Sequence, residues 1–190
     1  MTSRIFPIDA MPTEIISTKI NGILELIGEY YTDSRGQFLN CFRFQDSSFS
    51  ENWPDIGISQ VNVSRTNQVG TIRGLHFQEN PHSEAKLVRC LRGRAWDVAA
   101  DVRTDSPTYG QWHAVELTPK SCNALLIPEG CAHGFQILEP FTELLYLHSG
   151  QWVPKLEKGI RFDDPTLAIK WPLLPFGISK RDRDLPFLLI

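Results

Sequence analysis

Polar and apolar residues alternate in short runs along this chain, and turn residues separate the runs. Alternation with a period of two marks a strand with one buried and one exposed face. The clearest case is 58–64, which places Ile58, Gln60, Asn62 and Ser64 on one face and Ser59, Val61 and Val63 on the other. Strands are also expected at 23–27, 38–44, 85–91, 95–102, 112–117, 123–127, 134–138 and 143–148. Turn signals fall between them at Asp33-Ser34-Arg35-Gly36, Arg92-Gly93, Ser106-Pro107-Thr108, Pro128-Glu129-Gly130 and Glu139-Pro140. Helical periodicity is weak. One helical turn is expected at 47–52, and short helices after Trp171. Many short strands at such spacing predict an all-β barrel or sandwich. No repeat, linker or low-complexity tract divides the chain, so residues 1–190 are read as a single domain.

The stretch Thr71-Ile72-Arg73-Gly74-Leu75-His76-Phe77-Gln78 carries the strongest chemical signal. Leu75 and Phe77 point one way and His76 and Gln78 the other. A bend at Gly74 is needed to bring Arg73 beside His76. A polar inner face is costly unless it lines a wet cavity. The stretch therefore reads as the floor of an active site, with His76 as proton carrier.

Composition narrows the field. The chain is 42% hydrophobic and 22% charged with a formal net charge of -3, ordinary for a globular protein. The richest basic cluster, Lys180-Arg181-Asp182-Arg183-Asp184, is charge-balanced, so nucleic acid is not an expected partner. No apolar run approaches membrane-spanning length, and Met1 to Thr13 has no apolar core of signal-peptide length. A cytoplasmic protein is expected. Cys41, Cys90, Cys122 and Cys131 form no CxxC pair and are expected to be reduced thiols.

Gly70 lies six positions before His76, and Pro128-Glu129-Gly130-Cys131-Ala132-His133 has the form PxGxxH. These spacings resemble the two motifs of cupins, which are double-sheet jelly rolls. The resemblance implies a jelly roll with a few short helices, mostly near the C-terminus. Metal-binding cupins place HxH and a Glu in the first motif. Here that motif is His76-Phe77-Gln78, and Lys86 lies near the acidic position. Two imidazoles beside a cation make a poor metal site, so no metal is expected.

The ordered series Asp33-Ser34-Arg35-Gly36-Gln37-Phe38, Gln60-Val61-Asn62-Val63-Ser64, Arg73 to Gln78, Lys86-Leu87-Val88, Ser106 to Gly110, Ile127 to Phe135 and Asp164-Pro165 ahead of Trp171-Pro172 resembles the dTDP-4-dehydrorhamnose 3,5-epimerase family. The resemblance covers about Ile23 to Phe187 and implies metal- and cofactor-free epimerisation beside the ketone of a nucleotide-linked 4-keto-6-deoxyhexose. By that resemblance His76 is the base, Asp164 its carboxylate partner, Lys86 the cation at the enolate and Tyr146 the opposing acid, its pKa lowered by a nearby cation. Arg73 and His133 would flank sugar and diphosphate, and Gln60, Asn62 and Gln78 would line the cavity. Arg35 and Phe38 would hold the nucleotide, often across a homodimer.

Two positions depart from the family pattern. Asn40 stands where an acid commonly contacts the pyrimidine, which leaves dTDP or a CDP-sugar open. Trp152 stands where a Tyr is common, which leaves epimerisation at C3 alone, C5 alone or both open. A non-catalytic sugar-nucleotide-binding cupin and a metal-dependent cupin oxygenase are the rival readings. At the level of single residues, Asp164 before Pro165 also suits an Asx turn, and Asp163 competes as the partner of His76. His82, His113 and His148 read as surface or structural residues. Glu157 reads as a loop cap or a site contact. Trp96, Trp112 and Trp171 read as packing residues.

Overall fold

The computed structural model describes residues 14–42, 51–55 and 57–188. Two antiparallel sheets face each other. The strands are β1 (Glu14–Ser17), β2 (Leu24–Ile27), β3 (Tyr30–Asp33), β4 (Gly36–Leu39), β5 (Gln60–Thr66), β6 (Ile72–Gln78), β7 (Lys86–Arg92), β8 (Ala95–Asp101), β9 (Trp112–Leu117), β10 (Asn123–Ile127), β11 (Cys131–Ile137), β12 (Thr142–His148) and β13 (Glu157–Gly159). A six-stranded sheet runs β1-β2-β10-β7-β12-β5 and a five-stranded sheet runs β13-β6-β11-β8-β9, with β3-β4 as a separate hairpin. The pairings nest: β8 with β9, β7 with β10, β6 with β11 and β5 with β12. Successive members of that series lie in alternate sheets, which is the signature of a long hairpin rolled into a jelly roll. The all-β expectation holds.

The differences from the sequence reading lie at the ends of elements. The strand expected at 58–64 runs Gln60–Thr66. The hairpin strand stops at Leu39, and 43–44 lie outside the described residues, as does most of the turn expected at 47–52. Among the described residues the short C-terminal helices reduce to one, α1 (Lys180–Arg183), with Ser179 as its N-cap. No helix among the described residues is long and apolar enough to cross a membrane.

Three apolar layers hold the sandwich. Val88, Ala99, Leu125, Ile127, Phe135, Ile137 and Leu144 fill the space between the sheets. Leu24, Leu26, Leu87, Ala124 and Leu126 cover the outer face of the larger sheet with Trp53. Leu75, Val98, Ala100 and Ala132 cover the outer face of the smaller one against Ile160, Leu167 and Ile169 from the C-terminal segment. Each fully buried Leu or Ile side chain contributes about 1.5–3 kcal/mol. Trp96, Trp112 and Trp171 pack on this last layer, as expected. Trp112 Nε1 donates to Leu167 O at 2.8 Å and Trp171 Nε1 to Phe162 O at 2.8 Å, so each indole covers apolar surface without losing its hydrogen bond. That clamp draws the C-terminal segment over β6 and carries α1 to the mouth of the sandwich.

Candidate active site

The apolar filling stops at one end of the sandwich, and a polar cavity of about 420 Å³ takes its place. Strand period explains the lining. From the larger sheet come Gln60, Asn62 and Ser64 of β5, Lys86 of β7, and Tyr146 and His148 of β12; from the smaller sheet come Arg73, His76, His133 and Phe135. The face of β5 that carries Gln60, Asn62 and Ser64 turns inward, and Val61 and Val63 are left 58% and 47% exposed. The usual allocation of apolar residues to the inside is reversed on this strand, as a wet interior requires.

Gly74 supplies the expected bend. Its φ of +109° suits glycine. A Cβ there would lie 2.6 Å from His133 O and from Gly134 Cα. The β6–β11 register shifts at this point, with His76 opposite His133 but Arg73 opposite Phe135. Arg73 and His76 therefore line one cavity despite their opposite parity. The two histidines stand side by side as cross-strand neighbours.

His76 Nε2 lies 2.8 Å from Asp182 Oδ1. Asp182 belongs to α1 and is buried. Its backbone N–H donates to Ser179 Oγ at 3.0 Å, and its Oδ2 accepts the Gly74 N–H at 3.4 Å. Burial pushes the Asp182 carboxyl upward, but the His76 hydrogen bond and charge outweigh it, so the group sits below the ordinary carboxylate range. A carboxylate only accepts, so Nε2 carries a proton in this contact, and in the neutral ring Nδ1 is the bare nitrogen.

The expected partner, Asp164, is elsewhere. It is buried with Oδ1 accepting the Thr166 and Leu167 N–H groups at 2.9 and 2.8 Å, and Oδ2 accepting the Leu188 N–H at 2.6 Å. It is an Asx-type organiser of the C-terminal loop, the role its place before Pro165 also suited. Asp163 pairs with Arg161 at 2.8 Å. A sequence signal for Asp182 did exist: Ser179-Lys180-Arg181-Asp182 has the S-x-x-D spacing of a helix start. Its charge balance drew attention away from it.

His133 has a carboxylate of its own. Its Nε2 lies 2.8 Å from Oδ1 of the fully buried Asp97. Asp97 was not anticipated, because one acid inside an apolar strand gives no periodic signal. Tyr146 faces these histidines from the opposite sheet, its ring edge-on to His133 at 5.8 Å between centroids. Its hydroxyl lies 3.4 Å from Ser64 Oγ. Burial, reinforced by the Asp97 charge, pushes the Tyr146 phenol far upward. The expected lowering is overturned: desolvation outweighs the Arg73 charge, and the phenol is a held proton.

Lys86 is buried as well. Its Nζ lies 3.4 Å from Glu84 Oε1 and donates to His76 O at 3.4 Å. An ammonium has three donors, so one remains for a ligand oxygen. Glu84 is pushed up by burial but held below its ordinary range by His148 and Lys86. His148, read as a surface or structural residue, lines the cavity with Glu84. Trp152 Nε1 donates to Glu157 Oε2 at 2.8 Å, and Glu157 Oε1 meets Arg181 at 2.8 Å.

Four residues expected at the ligand do not line this cavity. The Gln78 amide is consumed by the His82 and Gln151 carbonyls and the Val153 N–H. It fastens loops at the end of β6. Arg35, Phe38 and Asn40 lie on or just beyond the β3–β4 hairpin. Arg35 pairs with Asp33 at 2.7 Å, and Phe38 is 61% exposed. Asn40 Oδ1 accepts the Phe42 N–H at 3.1 Å.

Chemically, the cavity sets a carboxylate-backed imidazole and a neutral phenol on facing sheets, with an ammonium and a guanidinium beside them. That arrangement can take a proton from one face of a carbon acid, hold the resulting oxyanion and return a proton to the other face.

The family model described as dTDP-4-dehydrorhamnose 3,5-epimerase matches residues 17–189. The chain is 41% identical over 159 residues to the dTDP-4-dehydrorhamnose 3,5-epimerase of Sinorhizobium fredii, covering 83% of this chain and 80% of the relative. It is 38% identical over 165 residues to the dTDP-4-dehydrorhamnose 3-epimerase of Streptomyces niveus, covering 87% and 79%. Among solved structures it is similar to the dTDP-6-deoxy-D-glucose-3,5-epimerase of Legionella pneumophila in complex with dTDP-4-keto-L-rhamnose. The TM-score is 0.87 at 35% identity, with 93% of each chain covered.

Proposed function

The chain belongs to the dTDP-4-dehydrorhamnose 3,5-epimerase family and is an isomerase, and from that premise we propose that it inverts both C3 and C5 of dTDP-4-dehydro-6-deoxy-D-glucose, yielding dTDP-4-dehydro-L-rhamnose. The observation that carries the mechanism is the placement of His76 and Tyr146 on opposite sheets of one cavity, with Lys86 beside them.

Both carbons are acidic because each adjoins the C4 carbonyl. His76 Nδ1 takes the proton; the C–H electron pair moves into an enolate whose oxygen receives the free N–H of Lys86. The Tyr146 hydroxyl returns a proton to the opposite face. Its raised pKa keeps that proton in place until a carbanion accepts it, and Arg73 lowers the cost of the tyrosinate that forms. Solvent then restores both groups, and the cycle repeats at the second carbon. Every electron pair returns to carbon, so no step draws on a metal or a redox cofactor. Asp182 is a positioning residue that fixes the His76 tautomer.

The nucleotide end extends past Arg73 and His133 toward solvent. The exposed hairpin with Arg35, Phe38 and Asn40 is suited to close over a base and diphosphate in a neighbouring copy, and the active form in this reading is a homodimer. Arg supplies a bidentate fork for phosphate, and Phe a stacking face.

One second reading has a specific observation behind it. Trp152 stands at the cavity with its indole N–H committed to Glu157, and the S. niveus relative is named a 3-epimerase. In this reading only C3 is inverted.

Proton NMR in heavy water tests both readings. Deuterium entering C3 and C5 of dTDP-4-dehydro-6-deoxyglucose is the expected result, and deuterium at C3 alone would replace it with the single-site reading. His76→Ala should abolish exchange at either carbon with the fold intact; near-normal exchange would remove His76 from the mechanism.

A further inference from the structure

Behind the phenol of Tyr146 lies a row of side chains that the proposed mechanism does not use. The Trp152 backbone N–H donates to Gln60 Oε1 at 3.2 Å. A backbone N–H is a donor and nothing else, so the orientation of the Gln60 amide is fixed. Its Nε2 then donates to Asn62 Oδ1 at 3.1 Å. The Asn62 amide is thereby fixed too, and its Nδ2 faces His148 Nε2 at 3.3 Å. Nδ2 can only donate, so His148 Nε2 must accept. The proton of the ring therefore sits on Nδ1, which lies 3.1 Å from Glu84 Oε2. The other Glu84 oxygen lies 3.4 Å from Lys86 Nζ. Each link allows one polarity only, and the row ends on a buried carboxylate holding the ammonium assigned to the enolate.

The strand register explains why these groups meet. Lys86 of β7 is the cross-strand neighbour of His148 on β12, and His148 is the neighbour of Gln60 on β5. The His148 ring also stacks on Tyr146, 5.9 Å between centroids at 20° between planes.

We infer that Glu84 and His148 are positioning residues: His148, held neutral with its proton on Nδ1, clamps Glu84, and Glu84 aims Lys86 into the cavity. The role assigned to Lys86 rests on the epimerase reading; the hydrogen-bond row does not. One row thus joins the wall that carries Trp152 to the ammonium on the enolate side. Glu84 without His148 could swing its carboxylate to pair fully with Lys86, drawing the ammonium away from a ligand oxygen. With His148 on one oxygen, Glu84 reaches Lys86 with the other alone, and a third donor of Lys86 stays available.

The test has two arms. In the first, long-range proton–nitrogen NMR of the full chain without substrate reads the His148 ring near neutral pH. The expected pattern is a protonated Nδ1 and a bare Nε2, the tautomer that free histidine disfavours in water. A bare Nδ1, or a doubly protonated ring, would overturn the inference whatever the substrate proves to be. In the second arm, Glu84→Gln keeps the shape but turns a donor or a weaker acceptor toward Lys86. Turnover should fall about ten- to hundredfold in kcat with KM nearly unchanged, the pattern of a contact made in the transition state. A kcat equal to the parent enzyme, or a loss confined to KM, would also overturn it.

Discussion

Replacing Asp182 by asparagine changes one atom and should reverse the His76 ring. In the parent protein Oδ2 accepts the Gly74 N–H at 3.4 Å, while Oδ1 faces His76 Nε2 at 2.8 Å. The asparagine oxygen must stay with the Gly74 amide, because a backbone N–H can only donate. Its NH2 then faces Nε2, which must accept, and the ring proton moves to Nδ1. The nitrogen left bare for substrate is thereby blocked. The same carboxylate-to-amide change in a serine-protease triad lowers kcat about 10⁴-fold by this route, and a loss of about 10³- to 10⁴-fold, or ~4–5.5 kcal/mol of barrier, is expected here. Asp182→Ala leaves the ring free to choose. It removes one charge-assisted hydrogen bond of about 1.5–3 kcal/mol, so its loss should be about 10- to 100-fold. The amide should therefore be the worse substitution although it is the more conservative one. Initial rates of deuterium entry into a 4-keto sugar nucleotide supply the comparison, with thermal melts to show that both variants fold. Equal losses for the two, or a larger loss for alanine, would refute the tautomer argument.

Three further outcomes follow from the same geometry. Tyr146→Phe should slow inversion far more than C–H exchange, as seen when the stereochemistry of the product is compared with its deuterium content; equal slowing would remove Tyr146 as the separate acid. Gly74→Ala sets a Cβ 2.6 Å from His133 O in a left-handed backbone position; it should cost about 3 kcal/mol in denaturant melts. Asp101 is buried, which raises its pKa, yet hydrogen bonds from Arg103, Ser106 and Thr108 outweigh this and hold it at about 2. Its contribution of about 2 kcal/mol is present above the unfolded value near 4 and is lost as pH falls from about 4 to 2, so Asp101→Asn should weaken stability at pH 7 and flatten its dependence across that acid window.

The sheet strands were legible because alternation is a local property: Gln60, Asn62 and Ser64 announced one face without reference to the rest of the fold. The bend at Gly74 was legible for a related reason, since Arg73 and His76 could share a face in no other way. Singling out His76 for the cavity needed only its neighbours in the chain. Its partner needed the path of the C-terminal segment, which returns 106 residues later. Asp164 and Asp163 were the acids weighed for that role, and the family resemblance favoured the one ahead of a proline, although its local sequence also suited the Asx turn it forms. His148 was missed because its meaning lies in the cross-strand register with Lys86 and Gln60. The direction of the Tyr146 shift depends on burial, which a strand residue does not advertise.

At one point β6 and β11 touch backbone to backbone. Gly74 approaches Gly134 so closely that a Cβ on Gly134 would meet Arg73 O at 2.9 Å and Gly74 Cα at 3.3 Å. His76 and His133 sit two residues and one residue from this contact, respectively. The spacing between the two imidazoles is thus set by main-chain atoms, which sequence drift cannot resize, and not by the bulk of intervening side chains. Two glycines, the residues with the least chemistry of their own, carry the heritable dimension of the site.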